Sequence, residues 1–417
     1  MEKIRVGVIG LGARGDYLVD LLLTMDDILV TAVSDIYQDR VDKNVGKVEK
    51  AQGQKPLGAV DYREVIAAGA CDAAVVVTGW EKHVEIGIAL MEAGIAVGME
   101  VGGAYSVADC WRLIEAYERT GTPFMFLENC NYGRYELLVR NMAEQGLFGE
   151  IVHCSGGYMH DLRTEVLYGR ENRHYRLKNY IERNCHNYPT HDLGPIAQVM
   201  NIGRGNRILY LTSMSSAARG LNDYAALHEN VDPALRTTRF AQGDIVVTSM
   251  MCENGATITL KLDTTLPRPY SRGFTVQGTR GMYQEDGNFI YLDTDFTEAD
   301  HFDWKKNWDN ADKYLEKYEH PIWRKFLNDG VRGGHGGMDY LVYDDFFTAL
   351  REGLPMPIDV YDAALLMSIT PLSAESIKGN SKTVEVPDFF AGRNAGGNAA
   401  GKTRGRAAGK TRDVKIN

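Results

Sequence analysis

The stretch IRVGVIGLGARGDYL, residues 4–18, predicts how the first part of the chain folds. A short apolar, β-branched run leads directly into Gly-x-Gly-x-x-Gly, which opens a segment with helical spacing. In such a strand–turn–helix unit Gly10 allows the tight turn, Gly12 the close approach of a pyrophosphate, and Gly15 the packing of helix on sheet. Roughly twenty residues later the next apolar run ends in Asp35, which completes the fingerprint of a dinucleotide-binding unit.

The same turn predicts the form of the cofactor. A pyrophosphate would rest at the N-terminus of the following helix, near Ala13, where free backbone N–H groups and the helix dipole favour negative charge. Asp35 would accept hydrogen bonds from the ribose hydroxyls and repel a 2′-phosphate. Arg14 and Arg40 work against that preference without reversing it, so the predicted cofactor is NAD.

Four more apolar, β-branched runs alternate with segments of helical spacing in the first 130 residues. Runs that are apolar on both faces and joined by helices are typical of a parallel sheet covered by helices on both sides. We therefore predict an α/β fold that begins with a doubly wound Rossmann domain at residues 1–130. The four runs are ILVTAVSD, DAAVVVTG, IAVGME and PFMFLEN.

Polar and aromatic residues follow two of these runs, at the strand ends where open α/β sheets bind ligands. Trp80 and His83, in TGWEKH, would cover a face of the cofactor and reach its ribose; a packed tryptophan and a surface histidine explain them equally well. Glu128 and Asn129, in LENCNYG, would lie beside the nicotinamide, with an acidic turn residue and a helix cap as the alternative.

The pattern changes after about residue 150 to long strands joined by Asn-Gly, Gly-Thr and Asp-Gly turns, which predicts a large, mostly antiparallel open sheet. Helical spacing returns near 335–378, and these helices are expected to pack back on the core. We assign 131–390 to a substrate-binding α+β domain and 391–417, rich in Gly, Ala, Lys and Arg, to a flexible basic tail. Residues 294–333 lack clear periodicity and are predicted to form a lid or a subunit contact.

Composition argues against several classes of function. The 417-residue chain has a net charge of −10, so its body offers no basic surface for nucleic acid. No apolar run is long enough to cross a membrane. The N-terminus enters a strand without a basic-then-apolar leader, so the chain as written is expected to be cytoplasmic; a chain trimmed of a secretory leader would look the same. No C-x-x-C pair occurs, and His191 beside Asp192 has no third ligand at suitable spacing, so no metal site is predicted.

The chain has a Rossmann half followed by an antiparallel half, with Trp-x-x-His and Glu-Val after successive strands. In these features all of the chain except the tail resembles the superfamily of glucose–fructose oxidoreductase and inositol dehydrogenase. Many sugar dehydrogenases of this kind carry Glu-Lys-Pro after the fifth strand, where the lysine handles the hydroxyl proton, and usually Asp-x-x-x-His further on. Here GMEVGGAYS has Val101 after Glu100, and Asn187 stands four residues before His191. Both parts of the usual alcohol-oxidation machinery are missing together, which argues against a simple dehydrogenase.

Three blocks in the second half are similar to glycoside hydrolase family 109, whose members are NAD-dependent α-N-acetylgalactosaminidases. The resemblance implies hydrolysis with no net redox change. NAD takes a hydride from C3 of the sugar, a base removes the acidified C2 proton, the group on C1 is eliminated, water adds, and the hydride returns. The usual pair of glycosidase carboxylates is then not required. The blocks are HYRLKNYIERNCHNYPTHDLGPIAQVMNIGRGNR, TTLPRPYSRGFTVQGTRG and GGHGGMDY.

The resemblance also implies roles for individual residues. Catalysis is expected from Glu128, Tyr158, His191 and Tyr270, with His191 the easier base because a tyrosine would need a strongly lowered pKa. Which group serves C2 and which the C3 hydroxyl stays open. The residues implied to bind substrate are Tyr158, Arg176, Tyr188, His191 and Tyr270. Those expected to bind NAD are Gly10, Gly12, Ala13, Arg14, Asp35, Trp80, His83, Glu100, Val101, Asn129 and Tyr188.

The leading hypothesis is therefore an NAD-dependent glycosidase that acts on terminal N-acetylhexosaminides, most favourably α-linked N-acetylgalactosamine. Its expected partner is a small carbohydrate or the terminus of a glycan, and a homo-oligomer is an open option. The first alternative is an NAD-dependent sugar or inositol dehydrogenase that uses His191 with a substitute acid. The second is a non-catalytic NAD-binding regulatory protein.

Overall fold

The strands form two sheets in a computed structural model that describes residues 3–295, 303, 307–391 and 393. The strands of the first sheet are β1 (Ile4–Ile9), β2 (Ile28–Ser34), β3 (Leu57–Ala59), β4 (Ala73–Val76), β5 (Ala96–Met99) and β6 (Phe124–Phe126). They lie in the order β3-β2-β1-β4-β5-β6, and the pairings are parallel. This confirms the predicted Rossmann sheet.

Five helices connect these strands and cover both faces of the sheet, so that β4 is buried along its whole length. They are α1 (Ala13–Leu23), α2 (Gln38–Gln52), α3 (Tyr62–Ala67), α4 (Trp80–Glu92) and α5 (Val107–Thr120). The sheet has one strand more than the apolar runs predicted. The additional strand, β3, has three residues and pairs with β2 alone, so it is too short to produce a recognisable run.

The second sheet has eight strands in the order β13-β12-β11-β7-β10-β9-β8-β14. Its strands are β7 (Ile151–Met159), β8 (Ile208–Ser215), β9 (Ile245–Cys252), β10 (Thr257–Asp263), β11 (Thr275–Gly278), β12 (Gly281–Gln284), β13 (Phe289–Leu292) and β14 (Val384–Glu385). Only β7 and β10 pair in parallel; the other pairings described are antiparallel. The prediction of a large, mostly antiparallel sheet is confirmed.

Helices of the second half pack against this sheet and against the first half of the chain. They are α6 (Arg134–Glu144), α7 (Arg163–Leu167), α8 (Arg176–Glu182), α9 (Thr190–Val199), α10 (Gly220–Leu227), α11 (Asp312–Tyr318), α12 (Pro321–Asp329), α13 (Met338–Glu352) and α14 (Val360–Lys378). None of the helices within the described part of the chain has both the length and the hydropathy needed to cross a membrane.

The interpretation of 294–333 as a segment without periodicity is wrong for 312–329, which forms α11 and α12. Pro321 occupies the first turn of α12, and Trp323 and Phe326 bury its inner face. Helix α12 does carry apolar residues at helical spacing, Ile322, Trp323 and Phe326, but over only nine residues, which is too short to establish a period in the segment around it. Residues 296–302 and 304–306 lie outside the described residues, and a lid or subunit contact stays a prediction.

Helix α14 joins the two halves of the chain. It packs against α5 and β6 on one side and β8 on the other. The Ala104 N–H donates to Met367 O at 3.2 Å, and the Phe126 N–H donates to Ile358 O, just before the helix, at 2.9 Å. The C-terminal helices therefore pack back on the core, whereas residues 394–417 of the predicted tail lie outside the described residues.

Phe346 on α13 attaches that helix to the parallel sheet. Its side chain is fully buried, and a Cβ added to Gly98 of β5 would lie 3.0 Å from its ring. We expect Phe346→Ala to lower the free energy of unfolding by about 3–5 kcal/mol, measured by urea denaturation. Leu227→Ala, at a side chain that is 73% exposed, is the control and should change it by less than about 0.5 kcal/mol. Equal losses in the two variants would contradict this packing.

Candidate active site

The candidate site lies at the carboxyl ends of β1, β4, β5 and β6, where the strand order reverses between β1 and β4. Open α/β sheets bind ligands in the crevice at such a switch point. The loops after these strands carry the glycine turn, Trp80, Glu100 and Glu128. The second half faces them with the end of β7, the start of α8 and the start of α9.

The glycine turn has the shape that a dinucleotide requires. Gly10 has φ +100°, and a Cβ there would lie 2.6 Å from Val77 O. A Cβ at Gly15 would lie 1.9 Å from Gly10 O, so α1 can pack on the turn only without one. A Cβ at Gly12 would meet only Arg40 Nη1, at 3.7 Å. Gly12 therefore borders open space at the N-terminus of α1, as a bound pyrophosphate needs.

Asp35 is buried at the end of β2 and is oriented by the same turn. Its Oδ2 accepts a hydrogen bond from the Leu11 N–H at 2.7 Å, and its Oδ1 accepts one from the Tyr37 N–H at 3.0 Å. Arg40 Nη1 lies 3.5 Å from Oδ2. Since an ionised carboxylate has about four acceptor positions, Asp35 keeps capacity for ribose hydroxyls.

Two buried polar atoms near the turn lack a partner among the described residues, namely His83 Nδ1 and Asn129 Oδ1. His83 Nε2 lies 2.9 Å from Thr78 O. Burial lowers the pKa of His83 to about 4, so the ring is neutral, Nε2–H donates to Thr78 and Nδ1 is left as an acceptor. The alternative of a surface histidine is wrong, because His83 is only 3% exposed. The residues at this turn thus fit a dinucleotide that donates hydroxyl or amide hydrogens.

The neutral His83 predicts a pH-dependent loss of stability. Its pKa is about 4 in the folded protein and about 6.5 in the unfolded chain, so the unfolded chain binds more protons between these values. Stability is expected to fall as the pH drops below about 6.5, and buried His186 and half-buried His174 and His320, whose pKa values are also lowered by desolvation, act in the same direction. His83→Gln should reduce this slope in urea unfolding from pH 7.5 to about 4.5; an unchanged slope would contradict the assignment.

Glu128 and His191 form a buried pair at the centre of the site. Glu128 Oε1 lies 2.7 Å from His191 Nδ1 and accepts a second hydrogen bond from the Cys130 N–H at 3.0 Å. Burial alone would raise the pKa of Glu128, but the electrostatic interaction and the hydrogen bond with His191 lower it below its ordinary value. An ionised Glu128 can only accept, so His191 Nδ1 carries the hydrogen and Nε2 is left as the basic nitrogen.

This pair replaces the aspartate that the dehydrogenase pattern places four residues before the histidine. Asn187 in that position is buried and donates from Nδ2 to Gln242 Oε1 at 3.2 Å. The carboxylate partner of His191 comes instead from the end of β6, 63 residues away. The histidine therefore keeps a carboxylate, while the lysine position remains Val101, a buried residue without a proton to transfer.

Cys130 lies next to this pair. Donor atoms of Glu128, Cys130 and His191 all lie within 4.8 Å of one another, a grouping that sequence spacing did not indicate. Burial raises the pKa of the Cys130 thiol well above its ordinary value, so it is neutral. The hydrogen bond between Glu128 and His191 accounts for their close approach, and we assign no ion to the three side chains.

Aromatic rings and one arginine line the crevice beside His191. The Tyr188 ring lies 4.3 Å from that of Tyr158 and 4.8 Å from that of His191, between centroids. The Arg176 guanidinium lies 5.2 Å from the rings of both Trp80 and Tyr188. Arg176 is buried. The structure thus brings these sequence-predicted residues together around a guanidinium whose Nε lies 2.6 Å from Glu165 Oε1 and whose Nη1 has no hydrogen-bond partner among the described residues.

Tyr270 joins this group through His160, a residue that sequence reasoning missed. The His160 ring lies 5.3 Å from that of the half-exposed Tyr270, and its Nδ1 lies 3.5 Å from Tyr158 Oη. His160 follows Tyr158 by two residues, so the period of a strand places both side chains on one face. That spacing was the available signal.

The tyrosines of the site remain protonated at neutral pH. Burial raises the pKa of Tyr158 to about 12, although the positive charge of Arg176 acts in the opposite direction. Burial also raises the pKa of Tyr188 and of Tyr270. These phenols are therefore hydrogen-bond donors.

The side chains of Arg14 and Glu100 bind each other across the crevice. Glu100 Oε1 accepts from Arg14 Nη2 at 2.9 Å and from the Tyr343 hydroxyl at 2.9 Å. Arg14 also donates to Asp339. Any contact of Arg14 with a pyrophosphate is therefore expected through its backbone N–H at the start of α1, because its guanidinium is bound to Glu100 and Asp339.

Comparison with known proteins identifies relatives of both halves. Residues 132–395 match the family described as "Glycosyl hydrolase 109, C-terminal domain", and residues 4–127 match "Oxidoreductase family, NAD-binding Rossmann fold". A "Glycosyl hydrolase family 109 protein" of Stenotrophomonas maltophilia is 37% identical over 416 residues, covering 94% of this chain and 90% of that protein. An "Alpha-N-acetylgalactosaminidase" of Shewanella oneidensis is 37% identical over 401 residues, covering 94% and 86%.

A solved inositol dehydrogenase homolog of Azotobacter vinelandii, in complex with NADH and myo-inositol, is similar with a TM-score of 0.65 at 17% identity, covering 92% of this chain and 98% of that one. That likeness shows the fold alone. The family match spans more than half of the chain and includes the segments that carry Tyr158, Arg176, Tyr188, His191 and Tyr270. With relatives 37% identical over nearly their whole length, the chain belongs to glycosyl hydrolase family 109.

Proposed function

We propose that this protein is an NAD-dependent glycosidase that hydrolyses terminal α-N-acetylgalactosaminides without net redox change. The observation that carries the proposal is the buried Glu128–His191 pair, 2.7 Å between Oε1 and Nδ1, facing an aromatic pocket beside an intact dinucleotide turn. The name of the Shewanella oneidensis relative supports the sugar and the anomer.

NAD, when bound, would supply a reversible hydride acceptor for a carbon of the sugar. Gly12 and the N-terminus of α1 would hold its pyrophosphate, and Asp35 would hold the adenosine ribose. The buried acceptors His83 Nδ1 and Asn129 Oδ1 would receive hydrogen bonds from its remaining hydroxyl or amide groups.

His191 is proposed to remove the C2 proton. Glu128 holds Nδ1–H, so Nε2 is available as the base, and the imidazolium formed on protonation is stabilised by the adjacent carboxylate. A carboxylate buried as deeply as Glu128 has little water to screen its effect on the ring.

Tyr158 and Arg176 are proposed to stabilise negative charge on the substrate oxygen while C2 is deprotonated. The guanidinium centre lies 5.9 Å from the Tyr158 ring. Burial raises the pKa of Tyr158, and although burial alone would lower the pKa of Arg176, the electrostatic influence of Tyr175, Tyr158 and Glu165 raises it well above its ordinary value, so both groups are hydrogen donors. Fixed donors directed at developing charge are among the largest contributions to enzyme catalysis. Tyr188 and Tyr270 would complete the sugar pocket through their rings and hydroxyls.

A panel of arylglycosides tests the proposal. Purified protein should cleave the α-N-acetylgalactosaminide, with NAD bound or added, while absorbance at the NADH wavelength stays flat. The panel includes α- and β-linked N-acetylgalactosamine, N-acetylglucosamine, galactose and glucose. Steady NADH production from a free hexose or polyol, increased by Val101→Lys, would instead establish a dehydrogenase. Tight NAD binding without turnover, unchanged by His191→Ala, would establish a regulatory protein.

A further inference from the structure

Asp339, at the start of α13, receives hydrogen bonds from three separate parts of the chain. Arg14 donates to both of its oxygens, at 2.9 and 3.0 Å, and Asn129 Nδ2 donates to Oδ1 at 2.8 Å. His335 Nδ1 lies 2.8 Å from Oδ2. The Asp339 side chain is fully buried. It therefore connects the glycine turn, the loop after β6 and the loop before α13.

The loop before α13, residues 333–337, has a second attachment to α1. The Gly334 N–H donates to Tyr17 Oη at 2.6 Å, and a Cβ at Gly334 would lie 2.5 Å from that oxygen. Gly336 and Gly337 have φ of +66° and +104°, which side chains rarely adopt. The glycines of this loop thus allow α13 to begin directly against the first turn of α1.

The charge of Asp339 determines which way the Asn129 amide faces. Burial would raise the pKa of Asp339, but hydrogen bonds from His335 and Arg14 more than offset this and hold the pKa below its ordinary value. An ionised carboxylate accepts only, so Asn129 must direct Nδ2 toward it. Its Oδ1 is then left buried, without a partner among the described residues.

We propose that Asp339 is a positioning residue for the cofactor, which fixes the Asn129 amide so that Oδ1 is presented as an acceptor. This rests on the proposed function only in taking NAD as the ligand. A carbonyl oxygen at this point suits a group with hydrogens to donate, such as the ribose hydroxyls or the carboxamide of the nicotinamide half. Through Arg14, Asp339 also holds Glu100 after β5, so one side chain orients three loops of the crevice.

NAD affinity of the full-length protein, measured by calorimetry without any sugar, tests the role. The side chain introduced by Asp339→Asn has both a donor and an acceptor, so the Asn129 amide can face it in either orientation. Oδ1 of Asn129 is then no longer held toward the cofactor, and we expect the Kd for NAD to rise about tenfold or more. The matched control is Glu319→Gln, which removes the charge of another buried carboxylate, paired with Arg134 Nη2 at 2.6 Å, outside the crevice. The control should lower Tm but leave the Kd within about twofold. Equal Kd values in wild type and Asp339→Asn would overturn the proposal.

A double-mutant cycle separates positioning from general destabilisation. In Asn129→Ala, Asp339 keeps its hydrogen bonds with Arg14 and His335. This variant should itself raise the Kd for NAD about tenfold, so the proposal can be tested even if Asp339→Asn does not fold. The double variant should lose less NAD affinity than the two single losses added together, because Asp339 acts in part through Asn129. Additive losses, or an unchanged Kd in Asn129→Ala, would overturn the proposal. Wild-type protein that binds NAD but cleaves no glycoside would overturn the proposed function and leave this inference standing.

Discussion

Glu128→Gln is expected to lower kcat on an α-N-acetylgalactosaminide about 10²–10⁴-fold while the protein stays folded and binds NAD. The carboxylate forces the hydrogen of His191 onto Nδ1, at 2.7 Å from Oε1, and stabilises the ring when it is protonated. A glutamine amide of nearly the same shape can donate to Nδ1 instead, which moves the hydrogen to Nε2 and removes the base. Steady-state kinetics with an arylglycoside, together with an NAD titration, measure the effect.

The effect of Glu128→Gln should also differ between kcat and KM. Because Glu128 acts on the histidine during proton transfer, kcat should fall with little change in KM. Glu319→Gln, the loss of another buried carboxylate away from the crevice, should leave kcat unchanged. A loss in Glu128→Gln of less than about threefold, or equal losses in both variants, would contradict the assigned role.

Gly12→Val is expected to raise the Kd for NAD at least about 100-fold, and to abolish glycoside cleavage with it, without unfolding the protein. Gly12 has φ −64°, which any residue adopts, and a Cβ there would meet only Arg40 Nη1 at 3.7 Å. The added side chain would occupy the space at the N-terminus of α1 that the pyrophosphate needs.

Gly15→Val provides the contrast, since its Cβ would lie 1.9 Å from Gly10 O and must displace α1 from the sheet. That variant should lose stability as well as NAD binding, whereas Gly12→Val should keep the Tm of the apo protein within about 2 °C. Calorimetric titration and thermal melting separate the two outcomes. Gly12→Val that binds NAD as wild type does would contradict a dinucleotide at this turn.

The sequence predicted those parts of the fold that are determined by residues close together in the chain. The Gly10–Gly15 turn, the buried run of β1 and Asp35 lie within one continuous stretch, and the Gly255 turn between β9 and β10 has φ +86°, as Asn-Gly hairpins often require. Strand β3 and helices α11 and α12 were missed because three to nine residues carry too little periodicity.

The site could be predicted only in part, because its decisive pairs are distant in sequence. His191 and Glu128 were both candidates, but nothing in their spacing of 63 residues indicates a hydrogen bond. Asp339 lies 325 residues from Arg14 and 210 from Asn129, and as one acidic residue near a helix start it carried no signal of its own. Arg14 and Glu100 were predicted as cofactor contacts, yet their side chains bind each other because both loops end at one edge of the sheet.

The most direct test of the redox route is hydrolysis of an α-N-acetylgalactosaminide in D2O, with the released sugar examined by NMR or mass spectrometry. If His191 removes the C2 proton and solvent later replaces it, the product should carry deuterium at C2. His191→Ala should abolish cleavage and, with it, the incorporation of deuterium. Cleavage at the wild-type rate with protium retained at C2 would contradict the account.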